Sequence, residues 1–158
     1  QEAQSLGLLA KTVAEDALDR AVQEQGKPLL GICLGMQLLA ETGTEFGNHD
    51  GLGYLPGHGE MIDRAETDLI LPHMGWNSLN LLKGTPLLDG VEPDSDFYFV
   101  HSFQLHAAND DMVNATTEYG GPVTAVVSRD NVMGTQFHPE KSQDVGLHVL
   151  ANFASMPC

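Results

Sequence analysis

Apolar residues recur at helical spacing from Val13 and Ala14 through Ala17, Leu18, Ala21 and Val22, so they share one face of an amphipathic helix. Thr12 followed by Glu15 is a capping-box pattern, hydroxyl and carboxylate each satisfying a free N–H at the helix start. Gly26 can adopt the left-handed conformation that ends a helix, and Pro28 prevents its continuation. Leu29-Leu30-Gly31-Ile32-Cys33 is a short apolar run of the kind buried on both faces of a parallel strand. The pattern then predicts a second helix carrying Met36, Leu38 and Leu39 and ending near Gly43. Helix, short loop, buried strand and helix in succession predict an α/β fold.

From about Glu45 to Pro72 the chain turns to glycine and acidic residues, which predicts loops with short strands. Further on, Phe97 to Phe103, Met112 to Thr117 and Val123 to Ser128 read as strands. Arg129-Asp130-Asn131 reads as the loop of an antiparallel hairpin leading into a strand over Val132 to Phe137. A last helix is predicted from Gln143 to Ala154, with Val145, Val149, Leu150 and Phe153 on one face. No repeat, low-complexity stretch or linker interrupts the pattern, so residues 1–158 read as a single domain.

Composition narrows the function classes. Of the residues, 42% are hydrophobic and 18% charged, which is globular rather than disordered. Seven basic residues stand against 22 acidic ones, a net charge of −15. With no basic surplus to displace counterions, nucleic acid is excluded as the expected partner. No apolar run approaches the roughly 18–20 residues of a membrane span, and no signal peptide is recognisable. The expectation is a soluble, cytoplasmic protein without a membrane partner. The acidity reads as a solvated surface or as an adaptation to high salt. Two cysteines, Cys33 and Cys158, permit one disulfide but not a disulfide framework.

The chemistry is concentrated in two segments. Gly31-Ile32-Cys33-Leu34-Gly35 is the cysteine form of the nucleophile elbow, a sharp strand-to-helix turn whose glycines allow close backbone approach. A helix N-terminus at this point is expected to lower the thiol pKa. A thiol nucleophile needs a base and a group that orients the base. His138-Pro139-Glu140 supplies both: proline pushes His138 towards an extended conformation, in which residues i and i+2 point the same way. Glu140 would then accept a hydrogen bond from one ring nitrogen while the other faces Cys33, giving a Cys33, His138, Glu140 triad.

Gly31-Ile32-Cys33-Leu34-Gly35-Met36-Gln37 together with Gln136-Phe137-His138-Pro139-Glu140 resembles the class I, triad-type glutamine amidotransferases. Gly51-Leu52-Gly53, Leu71-Pro72-His73-Met74-Gly75-Trp76-Asn77, Phe97 to Phe103 and Pro139-Glu140-Lys141-Ser142 narrow the resemblance to the glutaminase subunits of imidazole glycerol phosphate synthase. It runs from about Gly26 to Phe153. It implies a flavodoxin-like α/β fold, a mostly parallel sheet flanked by helices with an antiparallel hairpin. It also implies hydrolysis of glutamine, with Cys33 as nucleophile, His138 as acid and base, and Glu140 holding the imidazole. The Leu34 N–H would be an oxyanion donor, and Gln37, Glu45, Ser102 and Phe103 would bind glutamine. Ammonia would pass to a cyclase subunit of (β/α)8-barrel fold in a heterodimer, for histidine biosynthesis, with Trp76, Asn77 and Lys141 at that interface. No cofactor and no metal are called for.

The family pattern begins with a strand, a helix, a second strand and a glycine-containing oxyanion segment, and nothing in Gln1 to Lys11 matches it. With a first residue other than Met, this predicts a fragment with an intact triad and impaired glutaminase activity, since losing one oxyanion donor costs about 10²–10³ in rate. Three other readings stay open on sequence. One is a paralogue feeding a different synthase, for example in surface-sugar amidation. Another is a non-catalytic interaction subunit. The third is a metal site drawn from His101, His106, His138 and Glu140, although H-x-E without further ligand spacing is weak for zinc.

Overall fold

The first helix buries Val22 and half-buries Leu18 and Ala21, but its expected apolar face is exposed at Val13, Ala14 and Ala17; it stops where the sequence supplies a glycine. In the computed structural model, which describes residues 13–64 and 68–157, helix α1 covers residues 13–19. It continues as a π-helical turn, Arg20–Glu24. Gly26 follows at φ +66°, and the side-chain amide of Asn131 donates to the carbonyls of Val22 and Lys27, tying this helix end to a distant loop. Thr12, the expected cap, lies outside the described residues, as do Gln1 to Lys11 and Cys158.

Strand β1 (Leu29–Ile32) leads directly into helix α2 (Leu34–Leu38). Four short strands follow: β2 (Thr42–Gly43), β3 (His49–Asp50), β4 (Gly57–Met61) and β5 (His73–Ser78). After β6 (Asn80–Leu81) come β7 (Asp96–His101), β8 (Phe103–Ala107) and β9 (Val113–Glu118). The chain closes with β10 (Pro122–Arg129), β11 (Val132–Thr135) and helix α3 (Gln143–Ala154).

The central sheet has the order β1-β11-β10-β9-β6. β1 lies parallel to β11, with Ile32 opposite Thr135, while β11 and β10 form the expected hairpin around Asp130 at φ +53°. A second sheet runs β3-β2-β4-β8, and β5 pairs with β7 alone. Neighbouring residues of the central strands serve opposite faces. Val126 and Met133 join a core with Phe97, Phe99, Phe137 and Val149 of α3. Val127 and Val132 join another with Met36, Leu39, Leu55 and Leu105. Burial on both faces explains why β10 and β11 read as nearly continuous apolar runs.

The α/β class holds, and α3 spans the residues anticipated for it. Within that class the described sheets are mixed rather than mostly parallel: β1/β11 and β2/β4 are parallel, and the other pairings are antiparallel. The second helix stops at Leu38, short of Gly43, because a returning loop takes its terminal carbonyls. Leu52 N–H donates to Leu38 O at 2.8 Å, and Leu55 N–H to Leu39 O at 2.9 Å. That frees Thr42 and Gly43 to form a strand. The single strand expected over Phe97 to Phe103 is two strands broken at Ser102, since its halves pair with different partners, β7 with β5 and β8 with β4. The His73-to-Ser78 segment, given no element from its pattern, is strand β5. Among the described residues, no helix is long and apolar enough to cross a membrane.

Candidate active site

Three chain segments meet beyond the C-terminal ends of the parallel strands β1 and β11. Cys33 follows β1 and extends the ladder, its N–H donating to Thr135 O at 2.7 Å. Its backbone sits at φ 51°, ψ −108°, a conformation that costs energy for any residue with a Cβ and that presents the thiol at a tight turn. Gly31 makes the turn possible. A Cβ there would lie 2.6 Å from Gly35 O and 2.8 Å from Met36 N. Gly35 has a different part from the one its place in the motif suggests: a Cβ on it would meet nothing within 4 Å. The glycines are needed on one side for close approach, not on both.

The Cys33 thiol donates towards Val100 O at 3.8 Å and receives the side-chain N–H of Gln136 at 3.6 Å. Its pKa is raised, contrary to the depression expected at a helix N-terminus. Burial is the largest cause; the Leu34 N–H and the Gln136 amide pull it down, and the charges of Glu140 and Glu45 push it up. A helix of five residues and two donors do not outweigh desolvation beside two carboxylates.

His138 is held by its backbone. Its N–H donates to Tyr98 O at 2.9 Å, and its carbonyl accepts the hydroxyl of the fully buried Ser142 at 2.7 Å. The same hydroxyl oxygen accepts Tyr98 N–H at 2.9 Å. The ring Nδ1 lies 2.6 Å from Glu140 Oε1, with 17% of the histidine and 48% of the glutamate side chain exposed. Since a carboxylate only accepts, Nδ1 carries the proton and Nε2 is free to act as a base. The pair forms by a different route from the extended one anticipated. His138 itself is extended, but Pro139–Lys141 is a 3-10 turn that folds Glu140 back onto the ring. Among the described residues, the thiol's hydrogen-bond partners do not include His138; the two are brought to neighbouring strand ends rather than bonded.

The residues assigned to glutamine and the oxyanion, Leu34, Gln37, Glu45, Ser102 and Phe103, line one cavity of about 180 Å³ with Cys33. A wider cavity of about 350 Å³ shares Leu34, Gln37, Glu45 and Phe103 but lacks the thiol, running on to Phe46 and Asp50. Of the two, only the smaller reaches the thiol. Trp76 is 48% exposed, so it is not a core tryptophan. It meets Tyr98 edge-on at 5.8 Å, and Lys141 Nζ stands 6.0 Å from the same ring, which makes one contiguous face. Asn77, grouped with them on sequence, turns its side chain inward to His73, Glu118 O and Ser78 N.

Sequence reasoning passed over Gln136 and Ser142 as site residues. Gln136 is fully buried and couples the thiol to Gln37, whose amide donates to Gln136 Oε1 at 3.3 Å and to Phe103 O at 2.9 Å. The available signal was a polar residue inside an apolar strand end, Thr135-Gln136-Phe137. Of the histidines weighed for a metal, His101 uses both ring nitrogens within the protein. No group of three or more His, Cys, Asp or Glu among the described residues is arranged to hold an ion.

The family model for class-I glutamine amidotransferases matches residues 10–156. The HisH subunit of imidazole glycerol phosphate synthase from Rhodospirillum rubrum is 49% identical over 151 residues, covering 95% of this chain and 68% of that protein. The HisH subunit from Salinibacter ruber is 51% identical over 139 residues, covering 84% and 63%. The chain thus spans about two thirds of the length of these relatives. In fold it is similar to a glutamine amidotransferase from Thermotoga maritima, with a TM-score of 0.60 at 18% identity, covering 90% of this chain and 51% of that one. The chain belongs to the class-I glutamine amidotransferase family and, within it, to the HisH subunits of imidazole glycerol phosphate synthase.

Proposed function

We propose that this chain, read as one amidotransferase domain, hydrolyses glutamine to glutamate and ammonia and delivers the ammonia to a cyclase subunit. The cyclase then makes imidazole glycerol phosphate and an aminoimidazole carboxamide ribotide. The observation that carries the chemistry is the strained elbow at Cys33, set beside a strand end that presents a His138–Glu140 pair at 2.6 Å.

In the first step His138 Nε2 takes the thiol proton as Sγ attacks the carboxamide carbon. The carbonyl electrons move to oxygen, and the Leu34 N–H donates a hydrogen bond to the oxyanion so formed. As the tetrahedral intermediate collapses, the C–N bond breaks and His138 returns the proton to nitrogen, releasing ammonia and leaving a thioester on Cys33. Water then gives a proton to His138 and attacks the thioester. The C–S bond breaks, and sulfur recovers the proton as glutamate leaves. Glu140 keeps Nδ1–H in place and stabilises the imidazolium formed in each half-reaction. Gln37, Ser102 and Phe103 hold the substrate, with Glu45, half-buried in the same cavity, facing its α-ammonium group.

The face made by Trp76, Tyr98 and Lys141 is the docking surface for a (β/α)8-barrel cyclase, giving a heterodimer. An exposed tryptophan with a cation beside its aromatic neighbour has the composition of an interface anchor. Glutamate release should be measured from this chain alone and with a cyclase subunit carrying its nucleotide. Partner-dependent turnover that disappears in Cys33→Ala is the expected result. Turnover that survives Cys33→Ala overturns the assignment.

A further inference from the structure

Two buried histidines outside the triad form a hydrogen-bonded chain whose direction is fixed at every link. The Phe103 carbonyl only accepts, so His101, whose Nδ1 lies 2.8 Å from it, must carry its proton there. The Nε2 of a neutral His101 is therefore an acceptor, and His73 Nδ1, 3.1 Å away, must be the donor. His73 Nε2 in turn accepts from the Asn77 amide at 3.3 Å. Asn77 cannot turn over, because its nitrogen also donates to Glu118 O at 2.9 Å and its oxygen accepts Ser78 N–H at 3.0 Å. Both rings are buried, with His73 stacked between Tyr119 and Phe99. Both are held well below the usual histidine range, at about 4, by burial first. For His73 the neighbouring His101 adds to this; for His101, His138 adds and the Phe103 hydrogen bond opposes.

The chain continues into the thiol pocket. Phe103 O has a second lone pair, which receives the Gln37 amide at 2.9 Å. That bond commits Gln37 to present its nitrogen, so its other hydrogen meets Gln136 Oε1 and leaves Gln136 Nε2 facing Cys33 Sγ. Were Gln37 to turn over, Gln136 would have to turn with it, and the sulfur would lose its side-chain donor and face an acceptor. We propose that His73 and His101 are positioning residues, a pair of neutral Nδ1–H imidazoles that fix the Phe103 carbonyl and thereby keep Gln136 a hydrogen-bond donor to the Cys33 sulfur. This deepens the glutaminase reading by naming what holds one of the two donors that oppose the upward push of burial on the thiol, and it rests on that reading only for its effect on turnover. His73 lies outside the thiol cavity, and His101 borders it with both ring nitrogens committed to the Phe103 carbonyl and to His73.

The test has a spectroscopic arm and a reactivity arm. Nitrogen-15 NMR of histidine-labelled full chain at neutral pH should show His73 and His101 neutral and protonated at Nδ1, the minor tautomer of the free histidine side chain. An Nε2–H tautomer at His101 overturns the proposal. In the second arm, iodoacetamide alkylation of Cys33 is followed against pH. Glu140 and Glu45 also act on this thiol and are left unchanged in every variant. His101→Leu should move the alkylation midpoint upward and slow alkylation at pH 8 roughly three- to ten-fold, the range of one hydrogen bond. His101→Asn, which can place an amide N–H near the Nδ1 position, should restore most of it. Should His101→Leu fail to fold, Asn77→Ala removes only the outer donor; His73 should stay protonated at Nδ1, still donating to His101 Nε2, and an Nε2–H tautomer at His73 refutes the relay. An alkylation midpoint unmoved in His101→Leu, or no recovery in His101→Asn, refutes the positioning role. Absence of glutaminase activity together with a shifted midpoint would instead refute the glutaminase reading and leave the relay standing.

Discussion

Replacing Gly31 by alanine would place a methyl carbon 2.6 Å from the Gly35 carbonyl oxygen, 2.7 Å from its carbonyl carbon and 2.8 Å from the Met36 nitrogen. All three are backbone atoms of the turn and helix that carry Cys33, so no side-chain rotation relieves the clash; either β1 or α2 must move. Insertion of a methyl into such a site costs about 1–3 kcal/mol, which for a chain of this size lowers the melting temperature by about 2–12 °C. The neighbouring Gly35→Ala is the internal control. Its Cβ would enter open space, and its φ is not in the left-handed region, so the change should be neutral or stabilise by up to about 1 kcal/mol through helix propensity. Thermal unfolding of both variants by circular dichroism measures the contrast. Alkylation of Cys33 in the folded Gly31→Ala variant measures whether the thiol has been displaced. Equal destabilisation by the two substitutions would refute the account of the elbow, as would a Gly31→Ala variant as stable as the parent.

Burial of the thiol and of the two histidines has two pH effects. Because burial and the Glu140 and Glu45 charges raise the Cys33 thiol, its alkylation midpoint should lie above that of an unperturbed thiol, and Glu140→Gln should lower it by removing one charge. An upward move on Glu140→Gln would contradict the electrostatic assignment. The His73–His101 pair takes up protons in the unfolded chain near pH 6.5 but in the folded chain only at about 4. Stability from this pair is therefore complete above pH 6.5 and is lost as pH falls from there to about 4. Urea unfolding at pH 7 and pH 5 should show that loss, and it should shrink in His101→Asn, whose side chain does not titrate.

The elbow and the His-Pro-Glu segment were legible because local covalent geometry sets them. A glycine two residues before the cysteine, an apolar strand before that and a proline after the histidine each restrict the backbone without help from afar. Even there, the sequence misjudged the balance of forces. A helix start was expected to acidify Cys33, yet only the folded chain reveals the burial and the two carboxylates that outweigh it. The break at Ser102 was not legible, since nothing in Val100-His101-Ser102-Phe103 marks a strand end. It follows from β5 claiming residues up to His101 and β4 claiming those from Phe103, two pairings formed by segments far apart in the chain. That same break points His101 and the Phe103 carbonyl at one another and into the thiol pocket, which is how two histidines that read as ordinary strand residues come to govern an amide beside the nucleophile. Gln136 was hidden for a related reason. Its neighbours Thr135 and Phe137 belong to the core, and a buried glutamine in such a run declares itself only when its partners, Gln37 from a helix and Cys33 from an elbow about a hundred residues earlier, are in place. The elbow at Cys33 and the His138–Glu140 pair are coded locally in this chain, while the hydrogen bonds that reach the thiol through Gln37 and Gln136 depend on strand pairing, so substitutions at β5 should alter thiol reactivity without touching the pocket.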